Sequence, residues 1–341
     1  MFDFLFKKKE YWGCEWLENG IHMNHLGLSN CPFYFHSDKN DEAISPLTNE
    51  NTYNFDDFFK KKKEIIKNHK NGFICERCKN CPNLVKKINN KTKFTFIRIA
   101  VSSNTNCNSD CIYCYTHKDK AKYNSFKEIP TLKIFRKFYE KNLIDENTKI
   151  EFGGGEPTLH SDFDNVINLI LKNKFKEIIV YTSGIKYSQS ISNILSTDKG
   201  NLVVSVDSGR KETYQKIKNV DKFDDVWTNL KLYAKAQNKF PYQVKAKYII
   251  LENINDNKSE IDLFIERTIE TGIKFIMLEL EMNWYSQNKN DQDKIMSVIE
   301  FARYFKAKTQ DKEIFIGYGA QFSCLFNDYP EISEFVSGLN K

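Results

Sequence analysis

Three cysteines in one short loop, Cys107, Cys111 and Cys114, have the most specific chemistry in this chain. Their spacing is C-x3-C-x2-C, with Tyr113 just ahead of the third, and it suits three thiolates wrapped around one iron–sulfur cluster. Four thiolates would saturate the irons of a cubane. Three leave one iron with an open position, which is where a metal site does chemistry. The loop follows an apolar run, Phe94, Phe96, Ile97, Ile99 and Val101, that reads as a core strand. The alternative is a closed tetrahedral zinc site with His117 as fourth ligand, which would leave that strand and the glycine turn downstream unexplained.

That turn is the second feature. Lys149-Ile-Glu-Phe-Gly153-Gly154-Gly155-Glu156-Pro157-Thr158 is a short strand running into three glycines, residues that allow close backbone approach and positive φ. The cysteine triplet and the glycine turn, one βα unit apart, together resemble the radical S-adenosylmethionine (SAM) superfamily. The resemblance implies that Cys107, Cys111 and Cys114 hold a 4Fe–4S cluster and that Gly153, Gly154, Gly155, Glu156 and Pro157 border SAM. SAM itself would chelate the open iron through its amino and carboxylate groups. Tyr113 falls to the cofactor site by its place in the cysteine motif.

The elements that must position these groups come next. From Phe94 onward strand and helix patterns alternate, the mark of a parallel α/β sheet. Strands are expected at 94–101, 149–152, 177–181, 202–206, 243–251, 274–281 and 313–317, and helices at 131–143, 162–172 (capped by Ser161), 223–237, 260–271 and 292–309. Seven strands are too few for an eight-stranded barrel, and the resemblance implies a partial (βα)6, TIM-like barrel. Functional groups in such folds sit at the C-terminal strand ends. Thr182-Ser183-Gly184 and Ser205-Val-Asp207 resemble SAM-contacting turns of the family, so Ser183, Ser205 and Asp207 are assigned to the cofactor. The alternative for Ser205 and Asp207 is capping of the next helix. Residues 247–256 resemble the strand segment that holds adenine, with Glu252-Asn253 replacing the usual Pro-Gly. Period-2 alternation puts Lys247 on one side of its strand and Glu279 and Glu281 on one side of the next. These three and Tyr318 are the candidate substrate residues, with an exposed strand end as the alternative for Glu281.

Upstream lies a cysteine-rich α+β module. Cys14 and Cys31 bracket what reads as a β-hairpin. An amphipathic helix follows, with Asn54 as N-cap, Phe55, Phe58, Phe59, Ile65 and Ile66 as its stripe, and Gly72 as C-cap. Cys75, Cys78 and Cys81 come directly after it. The order resembles SPASM-type auxiliary-cluster domains, although here it precedes the barrel and has five cysteines rather than seven. The resemblance implies one auxiliary 4Fe–4S cluster on four of the five, and a zinc ribbon is the alternative. The expected organisation is 1–90 for this module, 91–310 for the barrel and 311–341 for a C-terminal strand and tail completing it. Residues 86–93 are polar enough to be the junction.

Composition bounds the rest. Lys and Arg exceed Asp and Glu by 51 to 45, a spread-out excess without the aromatic interleaving of a nucleic-acid surface. No segment approaches the ~20 apolar residues of a membrane span, and nine cysteines without a signal peptide point to metal in a cytoplasmic protein. The expected activity is reductive cleavage of SAM to a 5′-deoxyadenosyl radical, followed by hydrogen abstraction from a small molecule, sugar or peptide. An electron donor such as flavodoxin or ferredoxin is implied. No leader-peptide-binding module or cobalamin domain stands out, which favours a small molecule or nucleotide-linked sugar. An auxiliary cluster would make the enzyme an oxidoreductase. The alternatives are a redox-neutral epimerase using the lone Cys324 as hydrogen donor, and a non-enzymatic zinc scaffold.

Overall fold

The computed structural model describes residues 10–24, 27–31, 44–46, 55–74, 78–79, 81, 83–88, 95–102, 106–114, 128–238, 240–282 and 284–329. The chain divides into two compact units, Met1–Thr105 with Ser125–Ile178, and Asn106–Asn124 with Ile179–Lys341.

The first unit contains β1 (Glu10–Gly13), α1 (Glu15–Asn19), β2 (Gly20–Asn24), β3 (Gly27–Ser29), β4 (Ile44–Pro46), α2 (Phe55–Lys70), β5 (Val85–Ile88), β6 (Arg98–Ser102), α3 (Thr131–Glu140), β7 (Lys149–Phe152) and α4 (Phe163–Leu171). Strands β2, β6 and β7 run parallel, while β3 and β4 extend the sheet beyond β2 in antiparallel fashion. Strands β1 and β5 form a separate antiparallel pair. Phe152 packs between Phe135 of α3 and Phe163 of α4, so one face of β7 is covered by helices. The chain just ahead of β6 is covered too: Phe96 lies 5.1 Å from Phe138 of α3 and 6.2 Å from Phe59 of α2.

Strand β8 (Glu177–Thr182) carries the chain from the first unit into the second. There follow α5 (Gln189–Leu195), β9 (Gly200–Ser205), α6 (Lys211–Lys218), α7 (Phe223–Ala236), β10 (Val244–Ile250), α8 (Lys258–Thr271), β11 (Phe275–Leu280), α9 (Trp284–Asn288), α10 (Gln292–Thr309), β12 (Phe315–Tyr318) and α11 (Ala320–Asp328). Strands β9 to β12 are parallel neighbours in sequence order. Repeated strand–helix units on a parallel sheet give the expected α/β, partial-barrel fold class. Tyr248 packs against Phe264 of α8 and against Phe301 and Phe305 of α10, so it faces the helix layer. Strand alternation then turns Lys245, Lys247 and Ile249 to the opposite face. Among the described residues no helix is long and apolar enough to cross a membrane.

Several local expectations change. Cys14–Cys31 is a hairpin only over Gly20–Ser29, because the Cys14 sulfur accepts a hydrogen bond from Leu17 N at 3.2 Å and N-caps α1. Helix α4 is not capped by Ser161. Its N-cap is Asp162, whose carboxylate accepts from Leu132 N, while Ser161 Oγ donates to Glu128 at 2.6 Å. Residues 86–88 of the expected junction are in β5, paired with β1. Gly72 does end α2, at φ +90. Asn54, Phe94, Cys75 and His117 lie outside the described residues. Helices α1, α5, α6, α9 and α11 are additions to the elements read from the sequence.

Candidate active site

The cysteine loop is held by its backbone. Asp110 N donates to Lys218 O at 2.9 Å and Ile112 N to Ile217 O at 3.0 Å, which docks the loop on the last turn of α6. Cys114 N closes a turn on Cys111 O at 3.0 Å. Asn219 donates to the Asp110 carboxylate at 3.2 Å, and Ser183 Oγ donates to Asn108 Oδ1 at 2.8 Å, tying the end of β8 to the same loop. All three thiols, Cys107, Cys111 and Cys114, are partly exposed.

Behind the loop lies a buried polar hub. The Tyr113 hydroxyl donates to Asp207 Oδ2 at 2.6 Å, and Lys218 Nζ donates both to that same oxygen and, at 2.7 Å, to the Tyr113 hydroxyl. Asp207 Oδ1 accepts from Ile249 N at 2.8 Å. Asp207 stands at φ +66, and Asn255 secures it by donating to its carbonyl and to that of Ile249. Asp207 and Lys218 are 0% and 2% exposed. Burial by itself would depress Lys218, but Asp207 and the Cys111 thiolate hold its ammonium above the ordinary lysine value. Burial raises the Cys111 thiol, with Lys218 pulling the other way. Asp207 does not cap α6, whose N-cap is Arg210. Lys218 and Asn255 are functional candidates that the sequence reading passed over. Asn255 sits in a segment already singled out, beside Asn253, which takes a left-handed φ of +60 where the family has glycine.

The sheet face turned from the helices carries Ser205, Lys247 and Glu279. Register places Ser205 beside Lys247 and Lys247 beside Met277, with Ile249 beside Glu279 one layer on. Ile249 packs in an apolar cluster with Ile217, Leu251, Tyr113 and Ile254, directly against the cysteine loop. Glu279 does not pair with Lys247. Its carboxylate accepts from Leu280 N, Ala320 N and Gln321 N at 3.0, 2.8 and 3.1 Å, capping α11. Glu281 lies just past β11, and Tyr318, opposite Leu278 in register, falls on the helix-covered face, where it packs on Phe322 and Phe326. Cys324 is mid-helix in α11 and partly exposed.

In the first unit the glycine turn leaves β7 with Gly153 N donating to Val101 O at 2.9 Å, and Gly154 and Gly155 take φ of +70 and +62. A Cβ on Gly154 would meet the Ser102 Cβ and Oγ at 2.7 Å, so the fold itself requires glycine there. Glu156 is buried and accepts from Thr158 N at 3.1 Å and Thr158 Oγ1 at 2.7 Å, which shapes the turn that begins with Pro157.

The N-terminal cysteines also gather. Cys14 and Cys31 share an apolar cluster with Trp16, Leu17, Ile65 and Ile66. Cys81 N donates to Cys78 O at 3.0 Å. Burial raises the Cys14 thiol, and the charge of Cys81 adds to it. Lys62, 1% exposed, donates to Trp16 O, Gly20 O and Asn30 Oδ1 and senses both Cys14 and Cys31.

Three thiols on one short loop are the kind of donor set that holds an iron–sulfur cluster. Among the described residues no three His, Cys, Asp or Glu side chains converge tightly enough to hold one metal ion. The triplet thiols instead share one short loop with a buried cation behind them, which offsets thiolate charge.

Residues 101–265 match the Radical SAM superfamily. A GTP 3',8-cyclase of Desulforamulus reducens is 25% identical over 191 residues, covering 56% of this chain and 57% of that enzyme. A GTP 3',8-cyclase of Photorhabdus laumondii is 29% identical over 168 residues, with 48% of each chain covered. The chain thus spans about half the length of these curated relatives. Among solved structures, Streptococcus suis SuiB bound to S-adenosylmethionine superposes with a TM-score of 0.54 at 14% identity, over 81% of this chain and 58% of that one. SuiB bound to its precursor peptide SuiA gives 0.52 at 14%, over 97% and 77%. At such identity the likeness is one of fold. The cysteine loop and the glycine turn both lie within the matched residues, and the chain carries a radical SAM domain.

Proposed function

We propose that the chain is a radical SAM enzyme that abstracts a hydrogen atom from a small, nucleotide-like or sugar-like substrate. The observation that carries this is the docking of Cys107, Cys111 and Cys114 on α6 over the buried Tyr113–Asp207–Lys218 hub. When bound, a reduced 4Fe–4S cluster and SAM supply one-electron cleavage and a hydrogen-abstracting adenosyl group. The protein supplies position and charge. The three cysteines hold the cluster, and Lys218 offsets thiolate charge from behind the loop. Asp207, locked by Ile249 N and Asn255, fixes the strand end beside it. Ser183 anchors the loop from β8. Gly153 to Gly155 offer SAM a turn free of side chains, and Glu156 stiffens that turn through Thr158.

The substrate reading leans on the relatives, which are named for a nucleotide, and it extends to this chain only as a proposal. Residues 1–90 would act as an auxiliary-cluster module ahead of a barrel at 91–310, with 311–341 completing it. Cys14, Cys31 and Cys81 would be ligands together with Cys75 or Cys78. As an electron acceptor that cluster would make the reaction a net oxidation.

Anaerobic reconstitution tests the first reading. With dithionite and SAM the wild type is expected to release 5′-deoxyadenosine slowly, and Cys111→Ala none. A protein that binds iron but leaves SAM intact would overturn it.

A further inference from the structure

Strand β2 is buried along its whole length, yet it carries a histidine, His22, that is 1% exposed. A ring so placed needs partners for its nitrogens, and the flanking strands supply them. Ser29, directly opposite His22 in the antiparallel pair with β3, has its hydroxyl 3.3 Å from Nδ1. Ser102, the last residue of β6, has its hydroxyl 3.3 Å from Nε2 on the other side.

The direction of this chain follows from counting protons. Ser29 Oγ has one, and it goes to the carbonyl of Cys31 at 3.1 Å, since a carbonyl can only accept. Ser29 Oγ then accepts from His22 Nδ1–H. In the neutral ring that leaves Nε2 as an acceptor, and the Ser102 hydroxyl donates to it. One of the three staggered positions of the Ser102 hydroxyl is thereby selected. The choice matters because Gly154 is seated on this side chain: a Cβ on Gly154 would lie 2.7 Å from both the Cβ and the Oγ of Ser102. The turn, with Gly154 at φ +70, thus rests on a rotamer that His22 selects. A histidine that only filled the core would have no such link to the glycine turn.

We propose that His22 is a positioning residue for the glycine turn. Held by Ser29 in the segment that leads to Cys31, it fixes the Ser102 hydroxyl against Gly154 and so presets the turn for SAM. The inference deepens the radical SAM reading and rests on it for the identity of the ligand. All of the groups involved belong to the first compact unit.

Two measurements on the full-length chain test it. The first is nitrogen NMR of histidine-labelled protein without iron, at mildly alkaline pH where imidazole is neutral. The resonances lost in His22→Gln identify the ring. It is expected to carry its proton on Nδ1 and to lose that preference in Ser29→Ala. A wild-type ring protonated on Nε2 would break the chain and overturn the proposal. The second is the SAM affinity of the anaerobically reconstituted protein by equilibrium dialysis. His22→Leu and Ser102→Ala should each bind SAM about fivefold more weakly, as for loss of one neutral hydrogen bond. His22→Gln, whose side-chain amide can still accept from Ser102, should keep most of the affinity. Combining His22→Leu with Ser102→Ala should cost no more than either alone, because both remove the same contact. Losses that multiply to about 25-fold in the double variant, or wild-type affinity in Ser102→Ala, would overturn the proposal. If His22→Leu does not fold, the contrast between Ser102→Ala and His22→Gln decides. A wild type that binds no SAM strikes the radical SAM reading alone, because the tautomer is read without SAM.

Discussion

Lys218 Nζ lies 2.7 Å from the hydroxyl of Tyr113, the residue that precedes the third cysteine of the loop, and both side chains converge on one oxygen of Asp207. This joins the cysteine motif to a strand end and a helix end far from it in sequence. Removing Lys218 leaves a fully buried carboxylate without its cation, so Lys218→Met is expected to cost about 3–5 kcal/mol of stability. Tyr113→Phe deletes one hydroxyl and leaves the ion pair, costing about 1 kcal/mol. Urea midpoints together with iron content after reconstitution check both. If Lys218→Met unfolds with the wild type, the hub does not organise the loop.

The glycine turn gives a prediction with a built-in control. Gly154→Ala should lose stability from its φ of +70 and from contact with Ser102 at 2.7 Å, by about 1–3 kcal/mol. The double variant Gly154→Ala, Ser102→Gly relieves the contact but not the dihedral strain, and should recover part of the loss. SAM affinity, measured by equilibrium dialysis, should fall in both while the cluster absorbance persists. Unchanged SAM affinity in both would remove the turn from the cofactor site.

How much of this was legible in the sequence follows from the range of the interactions. The cysteine triplet, the glycine turn and most strands were readable because they depend on spacing and alternation over a few residues. Helix α6 was not: it is only eight residues long, has no side-chain N-cap, and matters because its last turn receives Asp110 N and Ile112 N. Lys218 looks like one more surface lysine until the fold brings it to Asp207. Glu279 was rightly placed on a strand face with Lys247, yet its carboxylate is taken by the backbone of α11, a helix that the sequence reading did not include. Cys14 is a similar case. Its sulfur caps a five-residue helix, which no hairpin pattern could show.

Buried Lys62 predicts a pH dependence of stability in protein without iron. Burial, only partly offset by Cys14, Glu18 and Cys31, lowers its value from the ordinary 10.5 to about 7. Between those values the unfolded chain binds more protons than the folded one, so stability rises as pH increases from about 7. The slope approaches about 1.4 kcal/mol per pH unit. The raised Cys14 thiol works the other way near its ordinary value of 9.0, so the clean window is pH 7 to about 9. Urea unfolding across that window should show the rise in the wild type and a flat response in Lys62→Met. A flat wild-type response would mean that Lys62 keeps its proton when folded.

The N-terminal cysteines then decide the iron count. Cys14, Cys31 and Cys81 lie near enough to feel one another or Lys62, and the Lys62 amine, with only neutral oxygen acceptors in contact, holds its proton when negative charge collects beside it. That is the setting expected behind thiolates that carry net negative charge on a cluster. Anaerobic reconstitution should therefore give about eight irons per chain. The triple variant of Cys107, Cys111 and Cys114 to Ala should retain about four and lose all 5′-deoxyadenosine release. The triple variant of Cys14, Cys31 and Cys81 to Ala should also retain about four, yet continue to cleave SAM slowly. With the N-terminal cluster present, its negative charge should also hold the Lys62 proton and flatten the pH response above 7. A wild-type count near four with one zinc would show that the module holds zinc. The net oxidation proposed for this enzyme would then lack its electron acceptor.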